Sequence, residues 1–213
     1  RDLVGNGEAA PIAPDAQTLV ITDAPLLASV TNQVAGVASD LIITNMVEGT
    51  AAGSFRFSLG LDSPFDATVD PTNGVFRWRP GCGYGSTTNQ VTIWVTDSAR
   101  TNISDAMTFT VVVGECVQPQ LGRLVLGAGE TGRLPINLIS TVALTNVSMI
   151  VTVPPERLTN LNVEAVAPEI CTNAAIAALT NGLYALAFAT CSNQWLIGTQ
   201  QVAWLYVTAV PHQ

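Results

Sequence analysis

Val69-Asp70-Pro71-Thr72-Asn73-Gly74-Val75-Phe76-Arg77-Trp78-Arg79-Pro80 contains a turn and a strand, and its reading decides the fold class. Pro71 presets φ, the Asp70 and Asn73 side chains can bond nearby backbone, and Gly74 supplies a positive φ. From Val75 the period is two, with Phe76 and Trp78 on one face and Arg77 and Arg79 on the other. Downstream, Val91, Ile93 and Val95 alternate with Thr92, Trp94 and Thr96. Met107, Phe109, Val111 and Val113 alternate with Thr108 and Thr110. Upstream, Phe55, Phe57, Leu59 and Leu61 alternate with Arg56, Ser58 and Gly60. Short alternating strands separated by turn residues predict an all-β, antiparallel sandwich with one wet face per sheet.

Further towards the N-terminus the pattern weakens. Leu41–Thr44 reads as a strand, and Val30, Val34 and Val37 as core contacts. Leu19–Thr22 could add a short strand, and residues 1–17, rich in Gly, Ala and Pro, read as a linker or edge segment. Towards the C-terminus the composition shifts near Glu115. Twelve acids and five arginines precede Cys116, a charge of −7, and four acids and three arginines follow, a charge of −1. With Pro119 in the connection, this places a domain boundary there: 18–115 as one sandwich and 116–213 as a second.

In the second half, Leu134, Ile136 and Leu138 alternate around Pro135, and the proline predicts an edge strand. Val147, Met149, Val151 and Val153 form another strand, ended by Pro154-Pro155. Glu156–Leu161 reads as a helical turn, with a strand from Leu161 to Val166. Ala174–Leu179 has helix propensity inside an expected hairpin, so strand and helix both stay open. Gln201–Val210 alternates Ala203, Leu205 and Val207 against Val202, Trp204 and Tyr206.

The 213 residues suffice for one large or two modest domains. Hydrophobic residues reach 48% and charged ones 11%, so the polar surface must come from Thr, Asn, Ser and Gln. All eight basic residues are arginine, and the net charge is −8, which argues against a nucleic-acid partner. No run approaches the roughly 18 apolar residues of a membrane helix. The opening Arg1-Asp2-Leu3-Val4 has no signal-peptide pattern, which leads us to expect a processed chain or a segment of a larger protein.

Four cysteines, Cys82, Cys116, Cys171 and Cys191, allow three pairings. The expected pairs are Cys82–Cys116 and Cys171–Cys191. Thr180-Asn181-Gly182 reads as a hairpin tip, and a three-residue loop there pairs residues whose numbers sum to 362, as 171 and 191 do. No Cys-x-x-Cys is present and the one histidine is His212, so a zinc site is not supported. Four buried free thiols are the alternative. Two bridges would imply an oxidising, extracytoplasmic setting, extracellular, cell-surface or periplasmic.

The series Phe57-Ser58-Leu59, Ala67-Thr68-Val69-Asp70-Pro71-Thr72-Asn73-Gly74-Val75-Phe76-Arg77-Trp78-Arg79-Pro80, Val91-Thr92-Ile93-Trp94-Val95-Thr96-Asp97 and Thr108-Phe109-Thr110-Val111-Val112-Val113 resembles the cadherin-like, "putative Ig" repeat of large bacterial surface proteins over about residues 25–115. The resemblance implies a cadherin-like or Ig-like sandwich, adhesion or spacing as its role, and other domains of the same large chain as partners. It departs from calcium-binding cadherins, lacking Asp-Arg-Glu and Asp-x-Asn-Asp-Asn. Asp97 and Asp105, with the Asp62, Asp66 and Asp70 series, remain as acidic candidates for calcium against ordinary loop acids. Residues 120–210 faintly resemble the cohesin-like sandwich related to carbohydrate-binding modules, through Gly129-Glu130-Thr131-Gly132-Arg133-Leu134-Pro135-Ile136-Asn137-Leu138, Val153-Pro154-Pro155-Glu156-Arg157-Leu158 and Trp204-Leu205-Tyr206-Val207. Val153 stands where the Asp before proline is expected, so dockerin recognition is not carried over.

Chemistry finds little footing. His-dependent nucleophilic catalysis would rest on His212 alone. Gly81-Cys82-Gly83-Tyr84-Gly85 is not followed by a helix, so a dinucleotide reading fails on context and the stretch reads as a flexible strand connection held by Cys82. The acids are single and loop-borne, whereas a glycosidase needs two across one cleft. Lys–Asn isopeptide bonds are impossible without lysine. Asn102-Ile103-Ser104 and Asn146-Val147-Ser148 match a glycosylation acceptor, incidental in the bacterial protein that the repeat resemblance implies. The aromatics remain. Trp204 and Tyr206 share a face, with Trp195 one connection earlier, and could stack on sugar rings or pack into the core. Val202 on their face favours packing. The sequence thus predicts two tandem sandwiches serving as a non-enzymatic surface module, with a carbohydrate- or protein-binding role for the second as the alternative.

Overall fold

The computed structural model describes residues 24–48, 54–171 and 174–211. The expected strand at Leu19–Thr22, the 1–17 segment and His212 lie outside them. No α-helix occurs among the described residues.

The Asp70 turn forms as its residues dictate. Asp70 Oδ1 accepts from the Thr72 and Asn73 amides and the Thr72 hydroxyl at 2.7–3.1 Å. Gly74 has φ +69°, and a Cβ there would lie 2.8 Å from the Phe57 ring. The turn joins β6 (Thr68–Val69) to β7 (Val75–Trp78), with β3 (Leu41–Thr44) on the far side of β7. It is also tied inward. The buried Asn45 amide donates to Gly74 O at 2.6 Å, and Phe57 N donates to Pro71 O at 3.0 Å. Since Phe57 lies in β5 (Phe55–Leu59), this last bond clips the turn to the opposite sheet.

That sheet runs β2–β9–β8–β5, with β2 at Gln33–Ala35, β8 at Thr88–Asp97 and β9 at Ser104–Val113. All its pairs are antiparallel except β2, which lies parallel to β9. A two-residue pair, β1 (Leu26–Leu27) with β4 (Val47–Glu48), completes the first half. Because β4 follows β3 directly, the two layers have the strand order of an immunoglobulin-type sandwich. Phe57, Phe76, Trp78, Val91, Ile93, Val95, Phe109 and Val111 fill the space between them. Phe76 meets Phe109 edge-on with ring centroids 5.8 Å apart.

Two expectations for this half need correction. Val34 is 78% exposed. β2 is an edge strand that turns Ala35 inward, so Val34 faces out opposite Val112. Leu61 is also exposed, since β5 ends at Leu59 and Ser63 N closes a turn onto Gly60 O.

The second half also stacks a four-stranded and a three-stranded sheet. One runs β10 (Val117–Leu121), β11 (Thr131–Leu144), β16 (Leu196–Ala209), β13 (Leu158–Ala165). The other runs β12 (Asn146–Thr152), β15 (Leu183–Ala189), β14 (Ala175–Ala178). The last strand, β16, is an inner strand of the four-stranded sheet, as β9 is in the first half. The core here is aliphatic and separate, with Ile136, Leu138, Val163, Leu186, Leu196 and Leu205 among its members.

The edge-strand expectation for Pro135 is overturned, because β11 pairs on both sides. Pro135 O accepts from Gly122 N, where β10 has just ended. A residue's N and C=O point to the same side of a strand, so the missing N–H faces a place where no ladder continues. The Ala174–Leu179 run is strand, not helix: β14 pairs with β15 at Ala175↔Ala187 and Ala178↔Tyr184, the expected sum of 362. Asn181 and Gly182 take φ +49° and +76° at the tip. The stretch after Pro154-Pro155 is a single turn, with Leu158 N bonded to Pro154 O, and β13 starts earlier than expected, at Leu158.

Candidate functional site

The sites to weigh are the junction between the halves, the acids of the first half and three surface tryptophans. Both expected disulfides are present, Cys82–Cys116 and Cys171–Cys191, and no free cysteine remains among the described residues. Cys171 and Cys191 sit where the hairpin register changes, from a sum of 362 at Ala175↔Ala187 to 360 at Ile170↔Thr190.

Cys82–Cys116 lies at the junction. Cys82 opens a short 3-10 turn, Cys82–Tyr84, and Cys116 follows the last strand of the first half. Thr141 of β11 meets Cys116 and the residues that follow the 3-10 turn. Its hydroxyl oxygen accepts from Cys116 N at 2.9 Å and is hydrogen-bonded to Ser86 Oγ at 2.9 Å. Thr141 N donates to Cys116 O at 2.9 Å, and Ser86 N donates to Gly114 O at 3.0 Å. The fit is close. A Cβ on the buried Gly85 would stand 2.8 Å from the Thr141 methyl and 2.9 Å from Cys116 Cβ. The glycine loop, read from the sequence as a strand connection held by Cys82, is thus the seat of this junction.

The acids are engaged by donors of their own turns or of other strands. Asp97 is almost wholly buried. Its Oδ1 accepts from Ala99 N and Arg100 N, and its Oδ2 takes the Arg100 guanidinium at 2.8–2.9 Å. The Arg100 bonds, then the Ala99 amide, hold this carboxyl below its ordinary value. Asp70 is lowered in the same way, chiefly by the Thr72 hydroxyl and amide. Asp105 Oδ2 accepts from Leu27 N at 2.8 Å, which ties β9 to β1. Asp62 Oδ2 accepts from Thr92, and Asp66 Oδ1 from the Trp78 indole. Asp66 also accepts from Tyr84, whose hydroxyl is raised by burial first and by this carboxylate second. Among the described residues no three His, Cys, Asp or Glu side chains are grouped to hold a metal ion.

The aromatic row is rearranged. Register slips between Ile136↔Ala203 and Asn137↔Gln201, leaving Val202 as the extra residue of a β-bulge. Val202 and Ala203 are both buried, and Val202 O receives Val166 N. The alternation then puts Leu205 and Val207 in the core and Trp204 and Tyr206 on the outer face, so the packing expected from Val202 does not extend to them. Neither ring is open, however. Arg133, opposite Tyr206 on β11, lays its guanidinium 4.2 Å over the Trp204 ring. Tyr206 donates to Glu164 on β13. Trp195 is 51% exposed but precedes β16, nine residues from Trp204, or about 30 Å along an extended strand. The structure does not bring these three aromatics together.

Sequence reading missed Trp94. It occupies the wet side of β8 and is 42% exposed on the outer face of the first four-stranded sheet. Its partners there are Ser58 on β5 and Ala106 on β9. A signal existed: an aromatic residue in the Thr half of an alternating strand.

No family model matches the chain, and no curated protein matches it. Among solved structures, human protocadherin-24 EC1-2 is similar at 14% identity, covering 89% of this chain and 99% of that one, with TM-score 0.38. Drosophila N-cadherin EC1-4 is similar at 13% identity over 79% of this chain and 41% of that one, TM-score 0.37. The titin z1z2 domains in complex with telethonin are similar at 9% identity over 90% and 98%, TM-score 0.32. Overlaps this low support no inference about family or function.

Proposed function

We propose that the chain is a non-enzymatic structural or adhesive module of a larger bacterial surface or secreted protein, made of two tandem sandwiches, residues 18–115 and 116–213, with a fixed angle between them. The observation that carries this reading is the junction. A disulfide, the backbone bond from Thr141 N and the Thr141 hydroxyl converge on Cys116, with Gly85 packed against them. A covalent staple beside the connection restricts the hinge that a free linker would allow. Two bridges also fit an oxidising location. The engaged acids support a spacing role better than chemistry, since each carboxylate named above already serves a donor within the protein.

Small-angle scattering tests it. The chain should give one narrow distance distribution that is the same in calcium and in chelator. Removing the staple with Cys82→Ser and Cys116→Ser together should broaden it. A wild-type chain that is already broad, or one that straightens only with calcium, overturns the rigid-module reading.

A further inference from the structure

The outer face of β5, β8 and β9 carries an exposed indole among hydroxyls. Register fixes the array. Ser58, Trp94 and Ala106 form one cross-strand row, and Arg56, Thr96 and Ser104 the next. With strands about 4.8 Å apart and same-face residues about 6.7 Å apart, the two rows span about 10 Å by 7 Å. Ser58 and Ala106 are small, so nothing beside Trp94 on its row rises to cover the ring. Arg56, Ser58 and Thr96 also line a groove of about 340 Å³ with Asp97, Ser98 and Thr101. Asp97 brings no free charge to it, being paired with Arg100.

Among the described residues, Arg56, Ser58, Thr96 and Ser104 spend no side-chain hydrogen bond on the protein, whereas Thr92 and Thr108 are bonded to each other at 2.9 Å. The contrast with Trp204 is direct. That ring is capped by Arg133, and Trp94 has no such cap.

From this arrangement we infer that the face around Trp94 is a glycan-binding site for neutral hexopyranose chains. A pyranose presents axial C–H bonds on one side and hydroxyls around its rim. The indole face accepts the first, and the Ser and Thr hydroxyls and the Arg56 fork accept and donate to the second. Other ligands fit less well. Nucleic acid needs clustered cations, and Arg56 is the single one in the array. A protein interface or membrane needs contiguous apolar area, and Trp94 is surrounded by polar or one-carbon side chains. The net charge of −8 disfavours polyanionic glycans. The site lies on the first sandwich, so it is independent of how the two halves are joined.

The test is affinity electrophoresis of the whole chain through gels containing laminarin, glycogen, galactomannan or hydroxyethylcellulose, with alginate as the anionic comparison. At least one neutral polymer should retard the chain. Trp94→Ala should weaken that retardation about tenfold, the scale of one aromatic stacking contact. Ala106→Arg keeps the indole but covers it, and should weaken binding equally. Arg56→Ala should weaken it less, and Trp204→Phe should leave it unchanged. No retardation by any neutral polymer, retardation by alginate alone, or equal retardation of wild type and both Trp94→Ala and Ala106→Arg would overturn the inference.

Discussion

Between Leu27 and Val113 the buried core includes Phe57, Phe76, Trp78 and Phe109, whereas between Ile136 and Val207 Phe188 is the one aromatic among the described core residues. The elements differ to match. The second half is built around β11 and β16, fourteen residues each and paired through most of their length, while no strand of the first exceeds ten. Large rings fill the space between two layers with few residues, so the first half can use short strands. It must then aim them, and it does so with turns locked by side chains: Asp70 and Asn73 at one, Asp97 at another, Asn45 and Phe57 N clipping the first to its surroundings. An aliphatic core needs more residues in register, and two long strands supply them. The lesson is that similar layer counts can rest on packed aromatics with fixed turns or on extended pairing.

The largest test of that contrast is Phe76→Ala. Removing a fully buried ring should cost about 3–5 kcal/mol and melt the first sandwich. Calorimetry should show the second transition persisting near its wild-type temperature. Loss of both transitions together would merge the halves into one cooperative unit. The two bridges come next. Cys171→Ser with Cys191→Ser opens a 20-residue loop, and Cys82→Ser with Cys116→Ser a 34-residue loop. Each pair should lower stability by about 3–4 kcal/mol in the chain-entropy model, the first in the second transition and the second in the first.

Acid should separate the halves further. Asp70 and Asp97 have folded values below the ordinary 3.8, so their contribution is complete above that value and is lost as pH falls through the lowered ones. The first transition should therefore fall in temperature as pH drops below about 4. Asp97→Asn should lower the first transition at pH 7 and flatten its acid slope. An acid slope identical in wild type and variant would remove Asp97 as a turn lock. The smallest effect is expected for Arg133→Ala, which uncaps Trp204 at a cost of about 0.5–1 kcal/mol. Its signature is a change in tryptophan emission with little change in melting.

Periodicity was readable where each residue's environment is set by its immediate neighbours. Phe76 and Trp78 inward, Arg77 and Arg79 outward, and the Asp70 turn follow from alternation and turn chemistry alone. So does the Ala175–Ala187 register, because a hairpin's pairing is set at its tip. Single-strand reading failed where a partner strand decides. Val34 faces out because β2 is an edge strand, and Pro135 is tolerated in a central strand because β10 ends beside it. Trp204 faces solvent because a bulge at Val202 shifts the phase.

The amino-acid sequence by itself determined the all-β class, the alternating faces, the locked turns and the Cys171–Cys191 pairing, since each depends on short-range spacing. Only the tertiary structure decided which tryptophan is exposed and which is capped, that the Gly85 loop seats against Thr141, and that Asp62, Asp66 and Asp105 accept from donors on other strands. Those outcomes depend on cross-strand neighbours far apart in the chain, and no local pattern encodes which residue will stand opposite another.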